Sequence, residues 1–85
     1  GPIYEQTENS ILVDASLSMR ELRAETGWNF EYQPKETVEA WVRRQFPEPI
    51  EKDAELTLEE IRIEIVLANA SGIRRVRITR TSEQE

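Results

Sequence analysis

The chain has no cysteine, no histidine, only three glycines in 85 residues, and no apolar run near the ~20 residues that a membrane-crossing helix needs. Without cysteine there can be no disulfide, thiolate metal site or sulfur nucleophile. Without histidine the commonest general base and zinc ligand is missing. Neither a G-x-G-x-x-G segment nor a P-loop is present, so the usual backbone cradle for phosphates is absent from the sequence. No signal-peptide pattern, internal repeat or low-complexity tract is visible. A formal charge of −6 argues against generic affinity for nucleic acid or anionic lipid, both of which demand basic surface.

What remains is a polar but globular composition, 38% hydrophobic and 33% charged. A single domain of this length hides only about 60 to 65 per cent of the surface its unfolded chain exposes. Its core must therefore be thin, and each large buried side chain should matter by about 2 to 5 kcal/mol on truncation. Charge is unevenly spread. Glu48 to Glu60 holds six acids against Lys52, whereas Ile61 to Arg80 holds five arginines against Glu64.

The segment from Leu56 to Arg80 reads as three consecutive antiparallel strands whose registers follow from side-chain type. An Asn69 to Gly72 loop would set Ile65 opposite Val76, Ile63 opposite Ile78, and Glu64 opposite Arg77 on the other face. A turn at Glu59 and Glu60 would set Leu58 opposite Ile61 and Leu56 opposite Ile63. Such a turn normally wants a residue tolerant of positive φ, so this one must use another turn type or carry strain.

Upstream, Ile11, Leu12 and Val13 make a brief strand. Ser18 and Glu21 form a capping box, with Leu17 and Leu22 as a hydrophobic staple, predicting a helix that starts at Met19. It should stop near Thr26, where Gly27 can adopt a left-handed conformation. Trp28 and Phe30 alternate about Asn29, so both rings should face the interior. Thr37 is a plausible cap for a second helix with Val38, Trp41, Val42 and Phe46 in one stripe, ended by Pro47 and Pro49.

The fold class is therefore α+β: a two-layer sandwich ordered strand-helix-helix-strand-strand-strand, two helices lying on one face of a small, largely antiparallel sheet. Residues 1–10 are expected to be a linker or tag remnant with a lightly docked arm, Gly1-Pro2 being a dipeptide that protease cleavage can leave. Residues 11–80 form the domain and residues 81–85 a polar tail.

Three segments, SILVDASLSMRELRAETGW, TVEAWVRRQFPEPIEKDAEL and IRIEIVLANASGIRRVRITR, resemble the transporter-associated (CorC/HlyC) domain family. They share its "LVDG"-like strand, its Ser-initiated helix with terminal Gly, its helix ending near Pro, and its "RVRV"-like closing strand. The chain departs from that pattern at Ala15 and at Glu60, which stand where the family commonly has glycine, and at Arg44-Gln45-Phe46-Pro47, where only the Pro is kept. The resemblance implies a non-catalytic domain on the cytoplasmic face of the cell membrane, part of an integral membrane ion transporter whose transport it modulates. It implies no catalytic residue and, as partners, the parent's other cytoplasmic and membrane domains. Neither nucleic acid nor direct membrane insertion is expected, and a two-fold homodimer through the exposed strand edge is open to it. No cofactor is expected; FAD enters only through analogy of fold, which does not transmit function.

Arg62, Arg74, Arg75 and Arg77 are the candidate docking face. The competing reading, slightly favoured, is a solvent-side row of cross-strand ion pairs. Glu48, Glu51, Asp53, Glu55, Glu59 and Glu60 fit no calcium-loop spacing and read as a solvated loop rather than a metal site. Trp28 and Trp41 read as core anchors rather than a ligand-stacking pair. The alternatives carried forward are a small-ligand or flavin-binding module and a freestanding adaptor.

Overall fold

The computed structural model describes residues 1–81, so all but the first residue of the expected polar tail lies outside the described residues. Strand β1 (Ile3–Gln6), strand β2 (Ser10–Asp14), helix α1 (Met19–Thr26), helix α2 (Val38–Gln45) and strands β3 (Glu55–Thr57), β4 (Ile61–Asn69) and β5 (Gly72–Arg80) follow in that order. The strands form one antiparallel sheet ordered β1-β2-β5-β4-β3.

Both helices begin where their caps predict. The Ser18 hydroxyl accepts from the Glu21 backbone N–H at 3.0 Å while the Glu21 carboxylate accepts from the Ser18 N–H at 3.4 Å, and Gly27 ends α1 at φ 72°. The Thr37 hydroxyl accepts from the Ala40 N–H at 3.1 Å. Eight-residue helices are too short to persist alone in water, so burial must hold them. Met19 and Leu22 of α1, with Val38, Trp41 and Val42 of α2, are buried against Ile11, Val13, Ile63, Ile65, Val76 and Ile78 of the sheet. Trp28 and Phe30 complete this layer, Phe30 meeting Trp41 edge-on at 5.4 Å between centroids.

The registers of the final hairpins are as predicted: Ile63 faces Ile78, Glu64 faces Arg77, Ile65 faces Val76, and Leu56 faces Ile63. The Leu58 N–H donates to the Ile61 carbonyl at 2.8 Å, and neither Glu59 nor Glu60 has positive φ, so the tight turn uses another geometry instead of strain. One irregularity was not foreseen. Val66 and Arg74 interrupt the β4–β5 ladder as compensating extra residues, which leaves Leu67 opposite Arg75 on the outer face and half-exposed.

The N-terminal arm is a correction. Residues 3–6, expected to be linker or docked arm, pair with β2 as an edge strand, giving seven elements rather than six. Ile3 packs against the core, but the strand contains too few apolar residues for alternation to announce it.

Two carboxylates on α2 and its approach fasten the helical layer. Glu36 is buried and accepts from Gln33 N–H at 2.9 Å and from Arg44 Nε and Nη2 at 2.6 and 2.8 Å. The Arg44 guanidinium holds this carboxyl below its ordinary value, with the Gln33 N–H assisting and burial opposing; Arg44 is raised in return. Glu39 reaches the opposite way, its Oε2 accepting from the Ile73 N–H at 3.0 Å and from Arg43 at 3.0 Å. Gly72 lies beneath it at φ 128°, and a Cβ there would collide with that same Oε2.

Gly72→Ala should cost about 1 to 3 kcal/mol from the strained backbone, and more by expelling Glu39 from the Ile73 N–H. In a Glu39→Ala background the same substitution should cost measurably less in urea denaturation; equal costs would dismiss the contact. Because the folded-state pKa of Glu36 lies below the unfolded one, the stability it contributes is complete above the unfolded value and is lost as pH falls through the folded one. Acid titration followed by circular dichroism should thus show the wild type and Glu36→Gln converging in stability below the ordinary value of 4.5. A gap that stays constant across that range would place the acid sensitivity elsewhere.

Candidate functional site

The sheet face away from the helices carries the predicted arginines. Arg77 lies between two acids, its Nη1 3.1 Å from Glu5 and its Nε 3.9 Å from Glu64. Arg62 is 3.1 Å from Glu55. These contacts join β1, β5, β4 and β3 in a partly exposed cross-strand ladder, each link worth a few tenths to about 1 kcal/mol. Arg62 and Arg77 therefore already have acidic partners within the chain.

Arg74 and Arg75 sit at the other end, where the β5 irregularity turns both outward. The Arg75 guanidinium lies 4.1 Å over the Tyr4 ring, its Nε buried without a hydrogen-bond partner among the described residues. Arg74 is exposed, and its carbonyl accepts from the Ala15 N–H at 2.9 Å. Asp14, the last residue of β2 and the partner of Arg75 across the ladder, accepts from Ser16 N–H at 2.9 Å and from the Tyr4 hydroxyl at 3.3 Å. The Ser16 backbone N–H, then its side chain, hold the Asp14 carboxyl below its ordinary value, with Tyr4 and the Arg74 charge assisting and burial opposing. Tyr4 and Glu5 belong to this face although they fall in the expected arm; a Tyr beside Ile3 is the one local hint of strand.

The second feature is an open cleft of about 960 Å³ at one end of the sandwich, between the segment joining the helices and the β3–β4 turn. Trp28, Phe30 and Trp41 back it, and Trp41 Nε1 donates to the Glu31 carbonyl at 3.0 Å, pinning one wall to α2. Leu58 and Ile61 form the opposite wall, with Glu59 and Glu60 at its lip. Arg80 lies 5.5 Å over the Trp28 ring and donates to Asn9, while Arg44 is bound to Glu36. Both tryptophans are buried, as expected of core anchors, yet both contribute surface to this cleft.

Neither a dinucleotide nor a divalent metal finds a fitting donor set here. The rim presents carboxylates where a pyrophosphate would need N–H donors or free cations, and its two arginines are already engaged. Among the described residues no three Asp or Glu side chains converge as metal ligands. The acids of the 48–60 segment instead pair outward or stand apart, Asp53 near Lys52 and Glu55 near Arg62. Among the described residues no helix is long and apolar enough to cross a membrane.

This arrangement of two short helices on a five-stranded sheet recurs in solved structures. A transporter associated domain from Nitrosomonas europaea superposes with a TM-score of 0.82 at 22% identity, over 95% of this chain and 98% of that one. A region assigned to a Mg²⁺ and Co²⁺ transporter (CorC) of Neisseria meningitidis gives 0.76 at 10% identity, over 94% and 99%. A transporter associated domain from a Xylella fastidiosa hemolysin, in complex with Mg²⁺ and Mn²⁺, gives 0.74 at 22% identity, over 96% and 100%. At such identities the likeness shows the fold. No curated protein matches the chain. The profile of the transporter associated domain (CorC/HlyC) does match, over residues 4–82, which takes in β1 from Tyr4 onward as well as the segments that carried the resemblance, and the chain belongs to that family.

Proposed function

We propose that the chain is a non-catalytic regulatory or interaction domain of a membrane ion transporter of the CorC or hemolysin-C kind, on the cytoplasmic face. It modulates transport by docking against other cytoplasmic and membrane domains of its parent. The family match over residues 4–82 is the observation that carries this reading. The disposition of charge supports it: the buried acid Glu36 and the partly buried Glu39 are both committed to holding the fold.

Within the candidate docking face, Arg74 and Arg75 are the residues that retain binding capacity, since Arg62 and Arg77 already meet acids of their own sheet. A partner offering carboxylates would find an exposed guanidinium at Arg74, next to an Arg75 guanidinium that is stacked on Tyr4 and unpaired by any acid among the described residues. A small-ligand or flavin-binding module is the runner-up, and the cleft is where it would act. Its acidic rim speaks for cationic rather than phosphate-bearing ligands.

The encoding reading frame should specify membrane-spanning segments outside these 85 residues; a frame with none would end the transporter reading. In that full-length protein, Arg74→Gln, at an exposed position, should leave the domain's melting temperature nearly unchanged. Ion flux in vesicles should shift about fivefold or more, the size of an ordinary coupling between domains. Unaltered flux with an intact fold would remove this face from the mechanism.

A further inference from the structure

We propose that the cleft at the Glu59–Glu60 end is a docking groove for a basic amphipathic peptide segment, one that alternates lysine or arginine with aliphatic side chains. This goes beyond the arginine face, which lies on the other side of the sheet, and rests on the reading above only in taking the domain to act by binding polypeptide.

Three observations point the same way. The groove's volume, about 960 Å³, lies at the upper end of the ~300–1,000 Å³ range of ligand pockets, but it is open to solvent rather than enclosed. An open trough of that size suits an extended chain better than an enclosed small molecule. Its lining is mixed: Trp28, Phe30, Leu58 and Ile61 give aliphatic side chains an apolar strip to cover, set among the polar side chains of Asn29, Gln33 and Gln45.

Its rim is net acidic. Glu31, Glu59 and Glu60 are all exposed and have no ion-pair partner among the described residues. Of the cations that line the groove, Arg44 is neutralised by Glu36, while Arg80 is held by Trp28 and Asn9 and keeps its charge, so the three rim acids leave a net excess of negative charge. The uncompensated charge that remains would attract a cationic partner. Arg80 also shows within this molecule that the aromatic wall accepts a guanidinium over its ring.

The test titrates the ¹⁵N-labelled 85-residue chain with acetyl-Leu-Lys-Ile-Arg-Leu-Lys-amide and with the same peptide carrying Glu at each basic position. The basic peptide should bind saturably with Kd on the order of 1 mM or tighter. Its shifts should map to the amides of residues 28–33 and 58–61 and to the Trp41 indole N–H. Glu59→Lys with Glu60→Lys, at an exposed turn whose side chains make no hydrogen bond among the described residues, should keep the spectrum folded and weaken that binding about tenfold.

Equal affinity for both peptides would overturn the proposal, as would shifts centred on Arg74 to Arg77 or no saturable shift at several millimolar. Cleft shifts that grow with protein concentration alone would overturn it too, in favour of a second copy of this chain. None of these readouts involves ion flux, so failure here is separate from failure of the transporter reading.

Discussion

Everything in this domain depends on covering one apolar sheet face with two helices that could not survive unaided. Ile11, Val13, Ile63, Ile65, Val76 and Ile78 present a continuous greasy surface, and each covering helix is only eight residues long. Packing supplies most of the attraction, but it does not by itself orient such short rods. Orientation comes from polar fastenings at their starts: the Met19 N–H donates to the Glu36 carbonyl, the Val38 N–H to the Leu17 carbonyl, and the Glu39 N–H to the Ala15 carbonyl. The two cap regions thus meet as a small bridge, Ser18 to Thr37. Glu36 and Glu39 then tie α2 backward to its own approach and across to the first residues of β5. In a core this thin, directional bonds to buried backbone donors decide where the apolar groups can sit.

The outer face of the sheet solves a different problem. It must remain polar without leaving a row of like charges, and it does so by alternating acids and bases along a row that crosses the strands, from Glu5 through Arg77 to Glu64. Within the last strand Arg77 is the arginine that gains acidic partners once the sheet forms, one of them brought by β1 from the far end of the chain. Charge without an acidic or basic partner among the described residues remains at the Arg74–Arg75 corner and at the acidic lip of the cleft. A molecule that works by contact with other polypeptides would be expected to leave its unspent charge where contact occurs.

The low identity to domains of the same shape follows from this construction. A two-layer sandwich of this size asks for apolar residues at certain positions, caps at helix starts and a few tolerant turns, all of which many side chains can satisfy. Ala15 and Glu60 illustrate the latitude. Each stands where the resemblance led us to expect glycine, and the Glu59–Glu60 turn meets the requirement with no positive φ at all.

The elements legible in advance were those whose determinants lie close together along the chain. The Ser18 capping box, the Gly27 stop, the Thr37 cap with its stripe, and the registers on either side of Glu59-Glu60 and Asn69–Gly72 each rest on residues within a turn or a hairpin of one another. Side-chain period and turn chemistry suffice there because the interacting groups are neighbours in sequence as well as in space. The edge strand Ile3–Gln6, the placement of β2 beside β5, the Glu5 partner of Arg77, and the cleft between residues 27–33 and 58–61 were decided only by the tertiary structure. Apart from the β1–β2 pairing, whose strand has too few apolar residues to show a period, they join segments tens of residues apart, and no local pattern encodes which distant surface a strand or an exposed carboxylate will meet once the chain has closed on itself.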